Sequence, residues 1–189
     1  MLSPTARMHP RPIVILGIAA CALAAVLALV RTGAVGASGD TVLALVPAGE
    51  TRAGKLITLK LVASSASDLA GFQSTVQFDG GALRLTGASV EADLGRGGRG
   101  LIPLGPVMGE GSVALGAATC PIPDCDAAPG QPAARVESGV SGKVELGTLE
   151  FYSETPGSYQ LSLDRVLLVD PQGNQLPVRV EPMVLEVRP

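Results

Sequence analysis

Asp68-Leu69-Ala70-Gly71-Phe72-Gln73-Ser74-Thr75-Val76-Gln77-Phe78-Asp79-Gly80-Gly81-Ala82-Leu83 is the stretch that decides the fold. From Phe72 to Phe78 it alternates, with Phe72, Ser74, Val76 and Phe78 on one face and Gln73, Thr75 and Gln77 on the other. Period-two alternation with aromatic and β-branched residues marks a strand that buries one face. Gly71 admits the chain to this strand and Asp79-Gly80-Gly81 turns it out again. Two of the three phenylalanines of the chain fall on its inward face. Large aromatic side chains dominate core energetics, so this strand is expected to nucleate the core.

The same pattern continues on either side. Upstream, Thr41 to Val46 is apolar throughout, Pro47 to Gly54 is a turn, and Leu56 to Val62 alternates with Ile57, Leu59 and Leu61 inward. Ser64 to Asp68 reads as a polar connection. Downstream, Leu83, Leu85, Ala88 and Val90 carry the β pattern on. It dissolves between Asp93 and Gly111, where Gly95 to Gly100 is glycine-rich and Pro103, Gly105 and Pro106 oppose a long strand. Ser112 to Ala118 is a short strand rich in small residues, and Cys120 to Pro132 is a proline-rich loop. From Ser141 the alternation resumes with Val144 and Leu146, then slips by one residue to Leu149 and Phe151. Gly147 sits at the slip, which predicts a β-bulge there. Tyr159, Leu161 and Leu163 alternate, Val166 to Val169 is apolar, Asp170 to Asn174 is a tight turn, and Val178 to Val187 closes the chain as strands. No helical period is sustained after residue 40. Short strands with turn signals every eight to twelve residues describe an all-β sandwich, here of about nine strands.

The N-terminal segment is of another kind. Arg7 and Arg11 precede the apolar run Ile13 to Val30, and Arg31 closes it. As one hydrophobic helix the run is about 27 Å long at ~1.5 Å per residue, close to the thickness of a bilayer core. Val35-Gly36-Ala37 offers a cleavage site, so a signal anchor and a cleaved signal peptide both fit residues 1–37. Ile18-Ala19-Ala20-Cys21 also resembles a bacterial lipobox, although the apolar residues that follow Cys21 favour a cysteine buried in a membrane helix. Each alternative places residues 38–189 outside the cytoplasm, secreted or anchored to the outer face of the cytoplasmic membrane, because the positive end stays inside. Arg7, Arg11 and Arg31 belong to the leading segment, so the remainder carries 11 of the 14 basic residues against all 17 acidic ones, a net of −6. A nucleic-acid partner needs a basic stripe and is not expected.

Chemistry is sparse. The one histidine, His9, lies in the leading segment, so residues 38–189 hold no histidine for a triad, a general base or a metal site. Neither a catalytic residue, a metal nor a cofactor is expected. Cys120 and Cys125 frame Pro121-Ile122-Pro123-Asp124, and in an oxidising compartment they read as a local disulfide, with free thiols as the alternative. Gly95 to Gly100 lacks the lysine and the helix of a phosphate-binding loop and is expected to be a solvated loop. Asp170-Pro171-Gln172-Gly173-Asn174 lacks the spacing of a calcium loop and reads as a turn in which Asp and Asn bond the backbone. Trp is absent, and alternation commits Phe72, Phe78, Phe151 and Tyr159 to the core. Only Tyr152 is left as an exposed ring for sugar stacking.

These residues resemble a cohesin domain, in the superfamily that includes cellulose-binding modules. The resemblance rests on Leu69-Ala70-Gly71-Phe72-Gln73, on Phe78-Asp79 with Leu83, on Gly142, Leu146, Leu149 and Phe151, and on a terminal turn with Asp170, Gly173 and Leu176. The usual proline after the aspartate is replaced by Gly80-Gly81. The resemblance implies a jelly-roll sandwich of about nine strands that binds dockerin modules and recruits enzymes of polysaccharide degradation. It also implies that Gln73, Thr75 and Gln77 lie on the sheet face used for binding. The expected function is therefore a non-catalytic binding module with a dockerin-like or other extracellular protein partner. The alternatives are a carbohydrate-binding module, which would take polysaccharide as its ligand, and a structural cell-envelope domain without a discrete ligand.

Overall fold

Segments with period-two alternation form strands in the structure, a computed structural model that describes residues 40–96, 98–121 and 138–189. These lie in Ser38–Pro189, one of the two compact units into which the chain divides. The expected N-terminal helix, Cys21 and Cys125 lie outside the described residues. In chain order the strands are β1 (Thr41–Pro47), β2 (Leu56–Leu69), β3 (Gly71–Gln77), β4 (Arg84–Val90), β5 (Arg99–Pro103), β6 (Val107–Gly109), β7 (Ser112–Pro121), β8 (Val140–Tyr152), β9 (Gly157–Val169), β10 (Val178–Val180) and β11 (Met183–Val187). Between β4 and β5 one 3-10 turn spans Ala92–Gly95. Among the described residues no helix is long and apolar enough to cross a membrane.

The strands form two sheets, one in the order β10-β1-β2-β8-β4 and the other β11-β9-β3-β7-β5, with β6 also pairing with β7. All pairings are antiparallel except β1 with β10. The inward residues of both sheets meet in a single core: Leu43, Ile57, Leu59, Leu61, Leu146, Leu149 and Phe151 from one sheet, and Phe72, Val76, Leu115 and Leu168 from the other. Phe72, Ser74 and Val76 are buried, as the alternation implies. Phe78 sits past the end of β3 and is half-buried. It meets Phe151 edge to face, with ring centroids 5.1 Å apart at 79°.

Four local features depart from simple alternation, each for a physical reason. The predicted bulge is present: Leu61 pairs with Gly147 but Val62 pairs with Glu145. A side chain at Gly147 would meet Ser89 O and Leu115 Cδ1 at 3.0 Å, so the slip is crowded for any larger residue. A second bulge in β9 was not signalled by the sequence. Gln73 pairs with Leu167 and Thr75 with Asp164, which leaves Arg165 (φ 50°) and Val166 unmatched. The slip lets Leu163 and Leu168 both point inward. Third, the expected connection Ser64 to Asp68 is part of β2, irregular in register and with Ser65 and Asp68 at positive φ. Asp68 is held there by its own polar atoms: its Oδ1 accepts from Gly139 N at 2.6 Å, and its backbone N–H donates to Ser141 Oγ at 3.0 Å. Fourth, the described residues form eleven strands where the sequence suggested about nine, because β5 and β6 form in the Gly/Pro region. Both lie at the sheet margin, where a proline's missing N–H costs no ladder bond. The expected solvated loop at Gly95 to Gly100 is corrected accordingly: Arg99 is buried, and its Nε donates to Thr119 Oγ1 at 2.8 Å.

Candidate functional site

β3 is the middle strand of the five-membered path β11-β9-β3-β7-β5, so its outward residues sit at the centre of an exposed sheet face. Gln73 is exposed there, and Thr75 and Gln77 are half-buried. The register assembles three rows across the face. Gln73 lies between Leu167 on β9 and Gly116 on β7. Leu104 continues this row, with its N–H donating to Gly116 O at 2.7 Å. Thr75 lies between Asp164 and Ala114, and Val107 of β6 continues that row beyond Ala114. Gln77 lies between Ser162 and Ser112. At the β9–β11 end the face dips into a cavity of about 570 Å³ lined by Gln77, Gln160, Ser162 and Val184 among others.

Sequence reasoning missed the apolar part of this face. Ile102, Leu104 and Val107 are 47, 57 and 67 % exposed along one side of the polar centre, and Leu167 is 38 % exposed on the other. Small residues at 114, 116 and 118 on β7 leave the ridge of Ile102, Leu104 and Val107 standing proud of the sheet. Its signal in the sequence was Leu101-Ile102-Pro103-Leu104, an apolar run in a stretch with no other strand pattern. Large apolar side chains exposed this close together set this face apart from ordinary protein surface. The charged residues of β9 here are Asp164, within the Thr75 row, and Arg165 at the bulge.

The outer face of the other sheet has the opposite character. Lys60 pairs with the Glu145 carboxylate, Thr148 Oγ1 donates to Glu91, and Glu145 N donates to Asp93 Oδ2 at 3.1 Å. The hydrogen bond that Lys60 donates to Glu145 raises the Lys60 pKa above its ordinary value, opposed by partial desolvation and helped by the charges of Glu145, Glu91 and Asp93. That face is a solvated charge network. The two faces thus differ in charge, which is sparse along the three rows on β3 and abundant on the β8 sheet.

Other residues singled out by the sequence take structural places. Asp170 Oδ1 accepts from Gln172 N at 2.9 Å and Asn174 N at 2.8 Å, and Oδ2 accepts from Asn174 Nδ2 at 2.9 Å. The Asn174 amide is the main cause of its lowered pKa. This is a backbone-bonded turn. Tyr152 is not an open sugar platform: it is half-buried, and the Arg84 guanidinium stands over its ring at 5.2 Å. Cys120 lies on β7, half-buried, with its sulfur 3.8 Å from Gly100 O. Its expected partner Cys125 is outside the described residues. Among the described residues no group of three or more His, Cys, Asp or Glu side chains is placed to hold a metal ion.

No protein-family model matches the chain, and no curated protein matches it in sequence. Solved structures do match in fold. A non-cellulosomal cohesin from the archaeon Archaeoglobus fulgidus superposes with a TM-score of 0.57 at 14 % identity, covering 80 % of this chain and 93 % of that one. A cohesin module from a family 33 glycoside hydrolase of Clostridium perfringens gives 0.57 at 10 %, covering 79 and 97 %. The sixth cohesin of scaffoldin B from Acetivibrio cellulolyticus, solved in complex with the Cel5 dockerin, gives 0.56 at 11 %, covering 79 and 99 %. Ser38–Pro189 therefore has a cohesin-like fold.

Proposed function

We propose that Ser38–Pro189 is a non-catalytic binding module of cohesin type that holds a dockerin-like protein module on the outer face of the β3 sheet. The observation that carries this reading is the uncharged row of Gln73, Thr75 and Gln77 bordered by exposed Ile102, Leu104 and Val107. An interface of this make-up draws its affinity from a few apolar anchors that are desolvated on contact, with neutral polar side chains supplying hydrogen bonds. In support, the Acetivibrio cohesin above is in complex with a dockerin. So is the OlpA cohesin of Clostridium thermocellum, which shares the fold at a TM-score of 0.56 and 10 % identity. The cohesin of the Clostridium perfringens glycoside hydrolase agrees with a role beside polysaccharide-degrading enzymes.

The proposal includes a setting outside the cytoplasm, with Ile13 to Val30 as an export signal or membrane anchor. It also includes a Cys120–Cys125 disulfide that staples the loop after β7. The test is retention of dockerin-bearing proteins from the source organism's own secreted fraction on immobilised residues 38–189, beside insoluble polysaccharide as a parallel ligand. Retention of a dockerin-bearing protein, weakened at least ~10-fold by Leu104→Asp and abolished by Gln73, Thr75 and Gln77 all→Lys, is the expected result. Retention unaffected by both variants would place the contact elsewhere. Retention on polysaccharide alone would make this a sugar-binding module and end the adaptor reading.

A further inference from the structure

The outer strands of the two sheets are β10 and β4 in one, β11 and β5 in the other. Three of the four are short or guarded. β10 spans three residues, Pro182 precedes the five residues of β11, and Pro103 ends β5 with Pro106 close behind. β4 is different: seven residues, Arg84-Leu85-Thr86-Gly87-Ala88-Ser89-Val90, with no proline or lysine. Glu91 extends it, since its backbone is extended at φ −87° and ψ 150° and its N–H donates to Leu146 O at 3.0 Å. An edge without proline or lysine presents unpaired N–H and C=O groups to any strand that comes alongside.

The sequence of this edge matches itself. Against β8 the register of β4 slips between Leu85 and Gly87, so Thr86 and Gly87 together occupy one step of the ladder. Counted that way, β4 reads the same from both ends when two copies run antiparallel. Arg84 faces Glu91, Leu85 faces Val90, Thr86-Gly87 faces Ser89, and Ala88 faces Ala88 on the two-fold axis. The matches are chemical: a cation with a carboxylate, two apolar residues, two hydroxyls and two small residues. The facing is also consistent, because Leu85, Ala88 and Val90 all pack against the core while Arg84, Thr86 and Ser89 are all exposed.

Neighbouring features point the same way. Arg84 takes part in none of the ion pairs among the described residues, which join Lys60 to Glu145, Arg96 to Asp93 and Arg179 to Glu181. Its guanidinium stands over the Tyr152 ring. Under the start of β4 a cavity of about 590 Å³ opens between the sheets, with Phe78, Leu83, Leu85 and Met108 among its lining residues. Met108 is 53 % exposed at its mouth. A strand added to β4 would bring Val90 of the second copy beside Leu85 at this opening.

We infer that the chain forms an isologous two-fold dimer by antiparallel pairing of β4 with β4, which joins the two β10-β1-β2-β8-β4 sheets into one continuous sheet. This leaves the outer face of β3 on each copy free for its own partner. The test uses the purified full chain, with its mass measured by light scattering across a concentration series. The expected result is a species of twice 19.1 kDa that Arg84→Glu or Glu91→Arg each weakens at least ~10-fold. The double variant Arg84→Glu/Glu91→Arg should restore it, and this recovery separates lost pairing from lost folding. As a second readout, Ala88→Cys should cross-link to its own copy under mild oxidation, while Thr58→Cys, on the open face of the same sheet, should not. A chain that stays monomeric throughout would overturn the inference. So would a dimer indifferent to both single reversals, or one in which Thr58→Cys links as readily as Ala88→Cys.

Discussion

Ser74 offers a sharp test of how the core is built. It lies on the inward face of β3, fully buried, and its hydroxyl has no hydrogen-bond partner among the described residues. Its position explains this, since it stands beside the β9 bulge that separates Gln73–Leu167 from Thr75–Asp164 and is in register with Leu115 on the other side. A buried hydroxyl left without a partner costs about 1–3 kcal/mol of desolvation. Ser74→Ala removes that cost and leaves a void of roughly 10–15 Å³, worth about 0.3 kcal/mol at ~24 cal/mol per Å³. Poorer strand propensity of alanine takes back a few tenths more. The net is a gain of about 1 kcal/mol, or a rise in Tm of about 2–4 °C for a domain of this size. Ser153 is the matched control, equally buried but donating to Thr155 O at 3.0 Å. Ser153→Ala should lose about 1 kcal/mol. Urea unfolding of residues 38–189, read by circular dichroism and checked by calorimetry, measures both. If Ser74→Ala instead lost about 0.5 kcal/mol or more, the hydroxyl would be bonded in the folded protein, to a buried water for instance, and the reasoning would fail.

Two further outcomes follow from the same geometry. A side chain at Gly139 would sit 2.5 Å from Leu69 O and 2.6 Å from Asp68 C and O, all backbone atoms that cannot swing aside. Gly139→Ala should therefore cost about 1–3 kcal/mol in a denaturant titration, and a change below ~0.5 kcal/mol would mean that β2 and β8 part there freely. Asp170 has its pKa lowered, chiefly by the Asn174 amide and further by the backbone N–H groups of Asn174, Gln172 and Gly173, from an ordinary value near 3.8. A depressed carboxyl pKa contributes stability above its unfolded value and loses it as pH falls through the folded one. The Tm difference between the native protein and Asp170→Ala should thus be full at neutral pH and shrink as the pH drops below about 4. A difference that does not vary with pH would show that the carboxylate's charge is not what holds the turn.

The local and the non-local contributions separate cleanly in this protein. Alternation is a property of adjacent residues, so the strand through Phe72, Ser74 and Val76, the outward placement of Gln73, Thr75 and Gln77, and the slip at Gly147 were all legible in the chain itself. So was the Asp170 turn, whose bonds reach no more than four residues ahead. The bulge at Arg165–Val166 was not legible, because the sequence reads as an alternating run to Leu163 followed by an apolar run from Val166, and only pairing with β3 exposes the extra residue between them. β5 and β6 were hidden by their prolines, which are tolerated only because these strands lie at a margin that sequence cannot reveal. The outer face of the β3 sheet divides the same way. Its polar centre came from the period of one strand, whereas its apolar border, Leu104 beside Gly116 and Val107 beside Ala114, is made by residues outside that strand brought alongside β7 by pairing. Side-chain direction along a strand is set by the pleat, which the sequence carries. Which strand lies beside which is set by burying both inward faces in one core, and that is decided only when the whole chain has folded.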